Sequence, residues 1–198
     1  MSRRAIRTPK AMQLIHGARI PDLQRPTVVT VGSFDGVHRG HQALLQAARE
    51  EVDRIGGAVV VVTFEPHPRI ALGRGEGLML LTELEERSQW LAHYGVDYLV
   101  VLPFDRAFAA QSGAEFARSI LVEQLGAKVL IAGYNHRFGC DRMSASELRI
   151  EGLAVRRVEK CVVEGVDVSS SAIRERILAG QVAEAEQLLG HTLNRFKP

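Results

Sequence analysis

Cysteine is nearly absent. Cys140 and Cys161 are the only two in 198 residues, and they form no C-x-x-C pair. That leaves no disulfide framework and no redox or metal dithiol, and it fits ordinary reduced thiols. No apolar run reaches membrane-spanning length and no signal-peptide core is evident, so a soluble, cytoplasmic chain that makes no membrane contact is expected. Charge of one sign is also lacking: 25 Lys and Arg against 23 Asp and Glu leave a formal net charge of +2. The Arg-rich start, Ser2 to Arg7, is too short to be the broad basic, aromatic-bearing face that nucleic acid requires.

Several familiar motifs are missing too. Gly32, Gly36 and Gly40 do not make the G-x-G-x-x-G dinucleotide fingerprint, and neither G-x-x-x-x-G-K-[ST] nor H-E-x-x-H occurs anywhere. His38 and His41 are metal ligands in principle. A third protein ligand at a suitable spacing is lacking, so no protein-held metal site is expected.

What is present is apolar residue enough, 46% of the chain, for one sizeable core. β-Branched apolar runs at Thr27–Val31, Ala58–Phe64, Tyr98–Leu102 and Val129–Ala132 read as buried strands, and helical spacing appears over Gly40–Ile55, Thr82–His93 and Ser112–Leu125. Thr82 with Glu85 and Ser112 with Glu115 fit the S/T-x-x-E capping box. Strand–helix alternation implies an α/β fold, a doubly wound parallel sheet with helices on both faces. The organisation expected is an N-terminal extension over 1–26, one domain over 27–190 and a tail over 191–198.

In such sheets ligands sit beyond the carboxyl ends of the strands, so the loops there carry the chemistry. The first, Gly32-Ser33-Phe34-Asp35-Gly36, runs into His38-Arg39-Gly40-His41 and a helix start. Glycines bring bare backbone close to a ligand, and a helix N-terminus with unpaired N–H groups favours phosphate. Paired imidazoles beside it can bond the same anion. Asp35 reads as a residue that shapes the loop. The second loop is Phe64-Glu65-Pro66-His67-Pro68, a stiff pocket wall or a rigid turn with an exposed His. The third, Asn135-His136-Arg137-Phe138, offers amide, cation and aromatic groups suited to a flat polar ring with a phosphate tail. Ser169-Ser170-Ser171 opens a helix through Ile173, Ile177 and Leu178, with Ser170 or Ser171 expected as N-cap and Arg174 on the first turn, reaching a phosphate or solvent.

Taken together, G-S-F-D-G-V-H-R-G-H, F-E-P-H-P, G-Y-N-H-R-F-G and V-S-S-S-A-I-R resemble, over about Thr27–Gly190, the FAD synthetase module of prokaryotic bifunctional riboflavin kinase/FMN adenylyltransferase proteins. The resemblance implies a Rossmann-like nucleotidyltransferase fold and transfer of AMP from ATP to FMN, giving FAD and pyrophosphate. It also implies Mg²⁺ bound mainly through ATP phosphates. It places Gly32, Ser33, Phe34, Asp35, Gly36, His38, His41, Ser169, Ser170, Ser171 and Arg174 around ATP, with His38, His41 and Arg174 catalytic. Phe64, Pro66, His67, Pro68, Asn135, Arg137 and Phe138 fall on the FMN side. Ser33 stands where Asn is frequent in the family, Ser171 where Thr is usual, and Met143–Ser146 where glycine is common. Family members usually continue past Leu188-Leu189-Gly190 into a riboflavin kinase barrel, so a chain of this extent is expected to use FMN without making it. Two rival readings are a related enzyme with another phosphorylated acceptor and a non-catalytic flavin- or nucleotide-binding regulator.

Overall fold

A computed structural model describes residues 11–17 and 25–193; the Arg-rich start Ser2–Arg7 lies outside the described residues. In chain order the first half holds β1 (Gln13–His16), β2 (Thr27–Val31), α1 (Arg39–Ile55), β3 (Ala58–Glu65), α2 (Pro68–Ala71), α3 (Leu84–His93) and β4 (Tyr98–Pro103). After α4 (Arg106–Ala109), α5 (Gly113–Phe116) runs straight into a π-helical stretch, Ala117–Gln124. Then come β5 (Ala127–Gly133), the hairpin β6 (Arg137–Phe138) and β7 (Met143–Ser144), β8 (Ala154–Val158), and the hairpin β9 (Val162–Val163) and β10 (Val166–Asp167). Helices α6 (Ser170–Leu178) and α7 (Val182–Leu189) close the described chain.

Six of these strands form one all-parallel sheet in the order β1-β4-β3-β2-β5-β8. The sequence explains which strands are central. Every residue of β2 and the first six of β3 are buried, as their unbroken apolar runs require of strands covered on both faces. Helix α1 lays Leu45, Ala48 and Val52 against one face with α3's Leu91, while Phe116, Leu121 and Leu125 cover the other. The doubly wound arrangement read from the sequence is therefore the one observed. Strand β1 lies within the stretch 1–26 yet pairs with β4 at the sheet edge.

Two helix starts differ from expectation. Ser112 and Glu115 do form a reciprocal capping box, but α3 begins later than Thr82, with Glu83 at its N-cap and no side-chain cap bond. The Thr82 hydroxyl instead accepts the Gly36 N–H at 2.9 Å. A tertiary hydrogen bond has taken the group that the local pattern assigned to capping. In α6, Ser169 rather than Ser170 or Ser171 is the N-cap, accepting from Ala172 N–H at 3.2 Å.

From β2 the chain winds outward through β3 to β4, and then returns to β5 on the other side of β2. The loops leaving β2 and β5 therefore diverge, opening a crevice at the carboxyl edge of the sheet.

Candidate active site

The loop after β2 is anchored from below. Phe34 and Val37 adopt positive φ angles of 49° and 39°, costly for non-glycine residues, and each is wholly buried in the core beneath the loop. At Gly36, with φ +83°, a Cβ would lie 2.8 Å from Leu81 Cδ1 and 3.2 Å from Leu189 Cδ2, so only glycine fits the turn. Leu189 belongs to the α6–α7 hairpin, which packs Ile173, Ala185 and Leu188 with Leu81 in a small third cluster. From this hairpin Gln187 O accepts from Arg39 Nε at 2.6 Å and Leu189 O from Gln42 Nε2 at 2.7 Å, tying it to the start of α1.

His38 is the N-cap of α1, and its Nδ1 accepts the His41 backbone N–H at 3.3 Å. With Nδ1 unprotonated, the neutral ring carries its proton on Nε2. The two imidazoles stack, centroids 3.6 Å apart and 15° from coplanar, with Phe34 4.8 Å from His41. Burial, with a smaller contribution from the nearby Arg174 guanidinium, pushes His38 down to about 4. His41 is held well below its usual value, first by burial and then by His38 and Arg87. Both rings are therefore uncharged at neutral pH, and His41 Nδ1 is buried without a hydrogen-bond partner.

A cavity of about 460 Å³ opens above them, bounded by the loop after β2, by Ser169, Ser170 and Ser171, and by the turn after β5. The starts of α1 and α6 thus face one space, two sets of free N–H groups in reach of one polyanion. They are linked directly, since Ser170 Oγ donates to the Asp35 carbonyl at 2.9 Å. The Asp35 carboxylate accepts N–H groups from Leu81 at 2.8 Å and Thr82 at 3.0 Å and pairs with Arg174. Arg174 also donates through Nε to Met79 O at 2.6 Å. Neither Asp35 nor Arg174 lines the cavity; they are spent on each other and on the 79–82 segment.

A second cavity, of about 500 Å³, lies alongside and is walled by Phe64, Phe104, Phe108, Phe116 and Phe138 with Arg137. Phe64 and Phe104 meet edge to face at 5.2 Å. Pro68 lines it, whereas Pro66 and His67 line neither cavity. His67 caps α2, its Nδ1 accepting from Arg69 N–H at 3.2 Å, and burial lowers its pKa. Asn135 lines the histidine cavity rather than the aromatic one. Val31 and His136 are common to both walls, so the two spaces meet there.

Three supporting residues escaped the sequence reading. Arg87, 3% exposed, donates to Ser33 O at 2.6 Å and to Thr63 Oγ1 at 3.3 Å, holding the loop against β3. Its trace in the sequence is a cation at i+3 from Leu84 and i−4 from Leu91, on the apolar face of α3. His191 stacks on Trp90 at 4.0 Å and lies 2.8 Å from Gly36 O through Nε2, a contact with no local signal. Gly40 was noted only as part of a spacing, although a Cβ there would come within 3.2 Å of the His38 ring. Among the described residues no group of three or more His, Cys, Asp or Glu is placed to hold a metal ion.

Known proteins resemble this chain over most of its length. The bifunctional riboflavin kinase/FMN adenylyltransferase of Escherichia coli (strain K12) is 38% identical over 173 residues, covering 85% of this chain and 55% of that protein. The FAD synthetase of Listeria monocytogenes is 33% identical over 187 residues, covering 91% of this chain and 75% of that one. A solved structure described as a macrolide-efflux protein from Streptococcus pneumoniae superposes with a TM-score of 0.82 at 33% identity, over 91% of this chain and 60% of that one. The chain spans about half the length, 55%, of the bifunctional relative from Escherichia coli. Residues 20–172 match the FAD synthetase family, and the chain belongs to it.

Proposed function

We propose that this protein is an FMN adenylyltransferase, transferring AMP from ATP to FMN to give FAD and pyrophosphate. The observation that carries the reading is the pair of cavities meeting at Val31 and His136, one lined by helix starts and imidazoles and the other by phenylalanines. A nucleoside triphosphate suits the first and a flavin ring the second, which brings the two phosphates together at the junction.

Adenylyl transfer asks little of acid–base chemistry. A phosphate oxygen of FMN attacks the α-phosphorus of ATP, the new O–P bond forms as the bond to the β-phosphate oxygen breaks, and pyrophosphate leaves with the electron pair. The nucleophile is already anionic, so rate comes from alignment and from donors aimed at developing charge. His38 supplies Nε2–H as a neutral donor, fixed in tautomer by the His41 N–H. His41, the α1 start and Ser169, Ser170 and Ser171 at the start of α6 bind the remaining phosphate oxygens. Phe64 and Phe138 flank the flavin, with Arg137 at the cavity wall and Asn135 on the nucleotide side. Arg174 serves this site through Asp35, fixing how the two helix starts face each other, and does not itself meet the phosphates.

Magnesium enters with the nucleotide as substrate. Asp35, the acidic residue of the glycine-rich loop, has both carboxylate oxygens engaged, and Glu159 is the carboxylate that lines the cavity, so the metal would be held mainly by phosphate oxygens and water. Incubation with FMN, ATP and Mg²⁺, followed by chromatography, should give FAD and pyrophosphate in equal amounts. ATP turnover only with a different phosphorylated acceptor, or tight nucleotide binding without turnover, would displace this reading.

A further inference from the structure

The motif residue left without a task is His136. It follows β5 directly, in a turn closed by its own N–H donating to Gly133 O at 3.1 Å. Its side chain is half-buried, and the ring packs on Phe138 with centroids 4.2 Å apart and planes at 52°. It borders both the histidine cavity and the aromatic cavity, a position that only Val31 shares. Burial alone lowers its pKa, to about 4, with no hydrogen bond or neighbouring charge contributing. Among the described residues the uncharged imidazole makes no protein hydrogen bond through its ring nitrogens, and being only half-buried it keeps them open to a ligand. Phe138 packs on the ring from the aromatic cavity, and His136 also lines the histidine cavity, so the imidazole stands where a ligand spanning both would pass.

Resting on the adenylyltransferase reading, we propose that His136 is a third imidazole of the transfer centre, donating a ring N–H to the attacking phosphate of FMN where the two cavities meet. It moves no proton in the step. It holds the acceptor phosphate in line with the α-phosphorus, while His38 and His41 attend the nucleotide. The role divides the three histidines by substrate, and that division is measurable.

The test compares FMN with riboflavin, which has the same ring system and no phosphate. Flavin fluorescence is titrated with wild type, His136→Phe and His136→Gln in the presence of an ATP analogue whose α–β bridging oxygen is a methylene group. His136→Phe keeps the packing on Phe138 and loses the donor; it should weaken FMN binding by about 10- to 100-fold, the size of a hydrogen bond to a charged group, and leave riboflavin binding within about twofold. His136→Gln, which keeps an N–H, should recover part of the loss. In steady-state assays kcat/KM for FMN should fall in parallel, with KM for ATP unchanged. Equal weakening of FMN and riboflavin would make His136 a packing residue and overturn the proposal, as would unaltered FMN binding in His136→Phe. If wild type makes FAD and the variant matches it, only this assignment fails; if wild type makes none, the adenylyltransferase reading fails and takes this with it.

Discussion

A Cβ on residue 40 would lie 3.2 Å from both Nδ1 and Cε1 of His38, so the glycine inside H-x-G-H is what lets the capping ring fold over the first turn of α1. Gly40 otherwise sits at a helical position where glycine is inferior to alanine. Gly40→Ala should therefore leave the denaturation midpoint unchanged or raised while lowering FAD formation by about 10²-fold, the penalty for displacing a group from its productive geometry. Urea unfolding and turnover measured on the same preparation check this, and a variant that loses stability but not turnover would contradict it. The histidines also give stability a pH signature. His38 has an ordinary value of 6.5 and a folded value of about 4, so the unfolded chain takes up a proton that the folded chain refuses. Its contribution is fully present above pH 6.5 and is lost as pH falls toward 4, at a limiting slope of about 1.4 kcal/mol per unit. His41 and His136, also lowered, act in the same sense. Urea midpoints taken at about pH 7.5 and about pH 5 should fall with pH, less steeply in His38→Gln. Midpoints that do not move would mean the rings are not buried as neutral groups.

Among the elements, a buried ion pair helps to position α1 and α6. Asp35 and Arg174 have side chains 2% and 13% exposed, and Asp35 also ties down the 79–82 segment through two N–H groups. Removing one partner strands the other's charge, which typically costs about 3–5 kcal/mol. Arg174→Met should lower stability by that order and raise KM for ATP, as the α6 start drifts from the α1 start. Denaturant titration with ATP kinetics checks it; a stable variant with normal KM but lost turnover would instead put Arg174 on the phosphates. The central strands and the Ser112–Glu115 cap were legible in the sequence because burial on two faces and local capping leave local patterns. Strand β1 was not: Gln13–His16 is a short edge strand with mixed residues, defined only by its pairing with β4. The Thr82 cap misled for a related reason, since its hydroxyl answers a residue 46 positions away. Likewise Asn135 and Phe138 share a motif, but the turn after β5 sends one toward each cavity.

For the whole molecule, the order β1-β4-β3-β2-β5-β8 makes the crevice, and the loops leaving β2 and β5 fill it. The motifs named the loops that would gather there, because every parallel strand delivers its loop to the same edge. The resemblance separated an ATP side from an FMN side, but not that Asn135 lines the first space or that Val31 and His136 stand between the two. The central claim is that an FMN phosphate in one space attacks ATP in the other directly, with no protein group covalently involved. The sharpest measurement supplies FMN and ATP bearing a chiral phosphorothioate at the α-phosphorus and reads the configuration of the flavin product. A single in-line displacement predicts thio-FAD with inverted configuration at that phosphorus. Retention, which requires a covalent enzyme intermediate, or the absence of any flavin–adenylate product, would contradict it.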